Sequence, residues 1–80
     1  MDPLKLKPKR LAMMMCKLTA RQKQVVTMLA RGMSDKEASQ LLSITTGRYR
    51  QNIYNACQRV GVDNRVQLIV IFVMWRTIQR

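Results

Sequence analysis

The chain has 80 residues, with 15 Lys or Arg against four Asp or Glu and a net charge of +11 at pH 7. A chain this short holds one small domain, often one whose core is completed by a partner subunit, and so large a positive surplus calls for an anionic partner, most often nucleic acid. It has no His, its two cysteines (Cys16 and Cys57) lie outside any CxxC spacing, and its carboxylates are Asp2, Asp35, Glu37 and Asp63 alone, so no enzyme, metal site or cofactor is expected. The hydrophobic fraction of 48% is too high for a disordered basic tail. The longest apolar run, Leu68–Trp75, is eight residues, whereas a membrane span needs about 20. Without an export-type leader, the expectation is a soluble cytoplasmic protein with reduced cysteines and no membrane partner.

Residues 1–17 differ from the rest. Pro3 and Pro8 read as helix breakers, and Lys5, Lys7, Lys9 and Arg10 make a basic arm. Within it "RLAMMMCK" could form a short helix covering the core. The arm reads either as a solvated leader or as a strap that touches DNA. Thr19 and Gln22 form a capping-box pair, Val25, Val26 and Leu29 recur at helical spacing, and Gly32 reads as a left-handed stop, which predicts a helix over about 20–31. Ser34 and Glu37 repeat the capping box, and Ala38, Leu41 and Leu42 supply the inward side of a short helix over about 35–42. "SITT" then leaves only a tight turn, with Ile44 inward and Thr45 as the next cap.

The following helix, about 46–60, ends at Gly61. Tyr49, Ile53, Ala56, Cys57 and Val60 form one apolar stripe. Its other faces carry Arg48, Arg50, Gln51, Asn52, Tyr54, Asn55, Gln58 and Arg59, with no acidic residue between Glu37 and Asp63. Arg, Gln and Asn are the side chains that pair bidentately with guanine and adenine edges. A short helix, a tight turn and a long Arg/Gln/Asn helix predict a helix-turn-helix that offers its second helix to the major groove. Asp63 or Asn64 caps a last helix, about 64–77. Leu68, Ile69, Phe72 and Trp75 form one apolar stripe on it, and Val66, Val70, Val73 and Thr77 form a second. A helix apolar on two sides needs cover on two sides. Another copy of the chain is the expected cover for the second; the N-terminal segment and a different partner are the alternatives. The methionines and Trp75 read as core and interface packing, and Cys57 as core filler.

The stretches "LTARQ" at 18–22, "LARGMSDKEASQLLSI" at 29–44 and "GVDNR" at 61–65 resemble the LuxR/FixJ/NarL-type (GerE-like) DNA-binding domain, and the resemblance runs without a gap over 18–77. It implies an all-α, four-helix module at residues 18–80, preceded by the arm at 1–17. It also implies a transcriptional regulator whose third helix enters the major groove of double-stranded DNA and whose fourth makes a homodimer. Matched position by position, Arg50, Gln51 and Tyr54 fall where the family reads bases. Lys36, Thr46, Arg48 and Arg65 fall at phosphate-facing or turn-supporting positions. Val66, Val70, Val73 and Thr77 are the expected dimer seam. The chain departs from the family's "SxxTVKxHV" with "TTGRYRQNI", so no operator sequence carries over. The sensing domain that usually precedes the module is not found in these residues. A stand-alone repressor is therefore expected, with an anti-activator that pairs with a larger LuxR-type regulator as the alternative.

Overall fold

In the computed structural model, which describes residues 5–78, five helices follow one another: α1 (Pro8–Cys16), α2 (Ala20–Ala30), α3 (Asp35–Leu41), α4 (Thr46–Val60) and α5 (Arg65–Ile78). No strand forms among the described residues. The break expected at Pro3 lies outside them.

The helix starts are set by side chains that satisfy the first free N–H groups. In α2 the Gln22 N–H donates to Thr19 Oγ1 (3.1 Å) and the Thr19 N–H to Gln22 Oε1 (3.0 Å). Ser34 and Glu37 repeat this at α3 (3.1 and 3.2 Å). At α4 the Arg48 N–H donates to Thr45 Oγ1 (3.1 Å). At α5 the Gln67 N–H donates to Asn64 Oδ1 (2.9 Å), so Asn64, not Asp63, is the cap; Gln67 Oε1 in turn accepts the Asp63 N–H (2.8 Å).

The ends are as specific. Gly32 and Gly61 have φ of +79° and +87° and close α2 and α4 in the left-handed region that glycine enters without steric cost. The end of α3 uses Ser43 instead, at φ +58°. There the Ser43 N–H donates to the Gln40 carbonyl (3.1 Å) and the Ile44 N–H to the Ser39 carbonyl (3.0 Å). This pair of bonds is a Schellman motif, and it turns the chain from α3 into α4 within four residues.

The structure adds a fifth helix to the four expected as a module. Pro8 starts α1 instead of breaking it, because a first-turn proline gives up an N–H that has no helical partner anyway. Leu11, Met14 and Met15 are buried in the common core, and α1 packs on α5 and α4. The Arg59 Nε–H donates to the Lys17 carbonyl (2.9 Å) and so ties the end of α1 to α4. Lys5, Lys7, Lys9 and Arg10 stay exposed.

The core joins those α1 residues to Leu18, Val25, Val26 and Leu29, to Ala38, and to Tyr49, Ile53, Ala56, Cys57 and Val60. Val62, Leu68, Ile71 and Phe72 complete it. Two inward assignments change. Leu41, expected inside, is 66% exposed, since Ala38 and Ser39 set the inward face of α3 and Leu41 lies about 110° round the helix from their midpoint. Ile71, absent from both expected stripes of the last helix, is fully buried. Trp75 is partly buried against Phe72, with ring centroids 6.0 Å apart, and Arg76 lies 5.6 Å over the Phe72 ring.

Candidate nucleic-acid interface

Helix α4 packs against α2, α3 and α5 and, more lightly, α1, and its apolar stripe fixes its rotation. At about 100° per residue, the side chain opposite the stripe is Gln51, flanked by Arg48, Tyr54, Asn55 and Gln58. All five are exposed, as is Arg50. Arg48, Gln51, Asn52 and Asn55 line a shallow polar hollow along this face. Internal bonds preset part of it. Gln51 Nε2 donates to Asn55 Oδ1 (3.0 Å) and Asn52 Nδ2 to the Arg48 carbonyl (3.0 Å). Gly47 lies on the same face in the first turn, and a Cβ there would come no nearer than 4.0 Å to Thr45 Oγ1, so the chain's own packing does not require glycine.

Of the residues expected to read bases, Gln51 and Tyr54 project from the outward side of α4, while Arg50, about 100° round the helix from Gln51, lies at its flank toward the start of α3. Of the expected phosphate group, Lys36 is exposed in the first turn of α3, Arg48 is exposed near the start of α4, and Thr46 is half-buried at the first position of α4. Arg65 sits at the first position of α5 and turns inward to an acid. Its Nη1 donates to Asp35 Oδ1 at 3.1 Å, while Arg50 Nε donates to Asp35 Oδ2 at 2.8 Å. One carboxylate thus joins the starts of α3 and α5 to the second turn of α4.

Sequence reasoning missed this use of Asp35, taking it only as an acid suited to a helix N-terminus. The signal was present, because Asp35 and Glu37 are the only acids between residue 2 and residue 63. Asp35 titrates below its ordinary value near 3.8, chiefly through the hydrogen bond from Arg50; partial burial opposes the shift and Arg65 adds to it. The nearby Tyr49 hydroxyl is fully buried and has no hydrogen-bond partner among the described residues. Burial, then the Asp35 charge, raises its pKa.

On α5, Val66 and Val73 are 64% and 46% exposed, Thr77 is exposed and Val70 is half-buried. This stripe lies on the far side of α5 from Leu68 and Phe72, and α1 leaves it largely uncovered. No helix among the described residues is long and apolar enough to cross a membrane.

The family described as "Bacterial regulatory proteins, luxR family" (GerE) matches residues 16–72, from the last residue of α1 into α5. The chain belongs to this LuxR family. Its members are helix-turn-helix transcriptional regulators that bind DNA, and α3 and α4 here, joined by a four-residue turn, have the arrangement of such a pair. The chain is also 42% identical over 50 residues to the Escherichia coli (strain K12) protein named "Putative HTH-type transcriptional regulator YhjB". That alignment covers 62% of this chain and 25% of the relative, so the chain corresponds to about a quarter of that protein's length. No solved structure matches significantly.

Proposed function

We propose that this chain is a sequence-specific, cytoplasmic regulator of transcription that binds double-stranded DNA as a homodimer and represses by occluding promoter DNA. The observation that carries the proposal is the outward face of α4. It holds Arg, Gln, Asn and Tyr side chains along a 15-residue helix that contains no acidic residue. A solvated helix face ordinarily mixes both signs, whereas a groove-facing helix must meet phosphate and base edges. In this reading Arg50, Gln51 and Tyr54 contact bases. Lys36, Thr46 and Arg48 contact phosphates beside them, and Arg65 supports the backbone contact through the α5 start. The DNA-binding and dimerising unit is residues 18–80, and the basic residues of 1–17 add electrostatic attraction.

Pairing falls to Val66, Val70, Val73 and Thr77, spaced 4, 3 and 4 along α5, the spacing of a helix-to-helix seam. A two-fold axis through that stripe repeats the recognition helix, so the operator is an inverted repeat. The same exposed stripe favours a second reading, in which α5 pairs with a larger LuxR-type regulator and blocks it.

Sedimentation velocity and gel shifts on one and two half-sites test the assembly. Val73→Glu is the informative variant, because Val73 is exposed in the single chain and the change leaves its core untouched. It buries an unpaired carboxylate only if the seam forms. The parent is expected to be a dimer and the variant a monomer that has lost cooperative binding to paired half-sites. A parent that is monomeric at micromolar concentration and binds one half-site as well as two contradicts the homodimer. Association only with a larger regulator supports the second reading.

A further inference from the structure

We propose that Asp35 is a positioning residue for base recognition: it grips Arg50 side-on and presents the end of its guanidinium to a guanine. This rests on the reading of α4 as the groove helix. A guanidinium has one N–H at Nε and four at the two terminal nitrogens, fixed in one plane. Asp35 takes the Nε at 2.8 Å. The two terminal nitrogens have no protein partner among the described residues, and the Arg50 side chain is 62% exposed. Those nitrogens match guanine O6 and N7, the commonest bidentate contact in the major groove.

The grip is itself anchored. The Asp35 side chain is only 20% exposed, and its second oxygen is held by Arg65 at 3.1 Å. Asp35 also follows the Ser34 cap, so its backbone is fixed by the capping box. A long exposed side chain otherwise samples many rotamers and gives up that freedom on binding. Held by its Nε, Arg50 needs less ordering when it meets the base. The charge argument points the same way. A carboxylate beside the DNA face repels phosphate and lowers affinity for every sequence, so its presence there favours discrimination over attraction.

The two effects have opposite signs, and this separates them in one experiment. A duplex selected from a random library by the parent is varied one base pair at a time. Affinities are then measured for the parent, Asp35→Ala, Arg50→Ala and the double variant. One well-oriented guanidinium–guanine pair discriminates by roughly 5- to 150-fold. Asp35→Ala is expected to lower the preference for guanine at one position of each half-site by at least about fivefold. Its affinity for random duplex rises at the same time. Arg50→Ala loses preference at that same position, and adding Asp35→Ala to it costs no further preference.

A merely structural ion pair would lower the melting temperature and leave the base ranking unchanged. Should Asp35→Ala not fold, Asp35→Leu, which offers the Arg50 Nε no acceptor at similar volume, decides the matter. Unchanged or sharpened guanine preference in the folded Asp35 variant, with preference lost in Arg50→Ala, overturns the inference and leaves the groove-helix reading standing. An unchanged profile in Arg50→Ala overturns the placement of Arg50 at a base and the inference with it.

Discussion

Tyr49 carries the sharpest local conflict in the fold. Its ring fills the centre of the core at 0% exposure, yet its hydroxyl has no hydrogen-bond partner among the described residues. An unsatisfied buried hydroxyl costs free energy that an isosteric apolar side chain avoids. Tyr49→Phe is therefore expected to leave stability unchanged or raise it by up to about 1 kcal/mol, read from urea unfolding. A loss of more than about 1 kcal/mol would show that the hydroxyl has a partner in solution. The two glycine stops were legible residue by residue, since Gly61 directly follows Val60, the last residue of its stripe, and Gly32 comes three residues after Leu29, the last of its own. The Ser43 turn was not, because serine gives no sign of a left-handed backbone; only the short distance between the Ser34 and Thr45 caps required a turn there. Asp35 stood out as a scarce acid, but its role was not legible, for a different reason. Its partners lie 15 and 30 residues away, and no local pattern announces a contact at that range.

At the scale of elements, capping chemistry made α2, α3, α4 and α5 readable to within about a residue of their ends. Helix α1 was less so, because Pro8 reads as a breaker unless it is known to lie at the first position. Its weight is in packing. Leu11 is fully buried, and Met14 and Met15 nearly so. Leu11→Ala is expected to cost about 2–5 kcal/mol, a large share of the stability of a domain this small. A thermal melt unchanged by the substitution would mean that α1 does not belong to the core.

The tie among α3, α4 and α5 predicts a pH dependence. Asp35 and Glu37 both have folded pKa values below their ordinary ones. Arg50 is the main cause for Asp35, and the Ser34 backbone N–H is the main cause for Glu37. A carboxylate depressed by folding stabilises the protein fully above its unfolded pKa, and this contribution fades as pH falls through the folded value. Stability should thus hold near neutrality and decline below about pH 4. In Asp35→Asn the decline should be shallower and start from a lower plateau. Equal acid slopes in parent and variant would show that the ion pairs do not persist in solution.

For the whole molecule, the five helices pose one outward Arg/Gln/Asn helix on one side and leave one apolar stripe on another. The first is what a LuxR-family domain brings to DNA. In the proposed function the second pairs two chains, so that they span two half-sites. Both were visible in sequence as surfaces with unusual composition. The rotation of α4 was visible as well, since the expected stripe of Tyr49, Ile53, Ala56, Cys57 and Val60 is the buried set; that of α5 was read in part, with Leu68 and Phe72 inward as expected and Ile71 added to them. The central claim is that α4 reads bases while neighbouring residues hold the backbone. Selection from a random duplex library, followed by affinity measurement on the selected and scrambled duplexes, tests it most directly. The parent should enrich a defined inverted repeat. Arg50→Ala or Gln51→Ala should lose preference at particular positions, by about 1–3 kcal/mol each, while Lys36→Ala or Arg48→Ala should weaken selected and scrambled duplexes alike. A parent that enriches no sequence, or an Arg50→Ala variant that selects the same repeat with the same strength, would contradict the account.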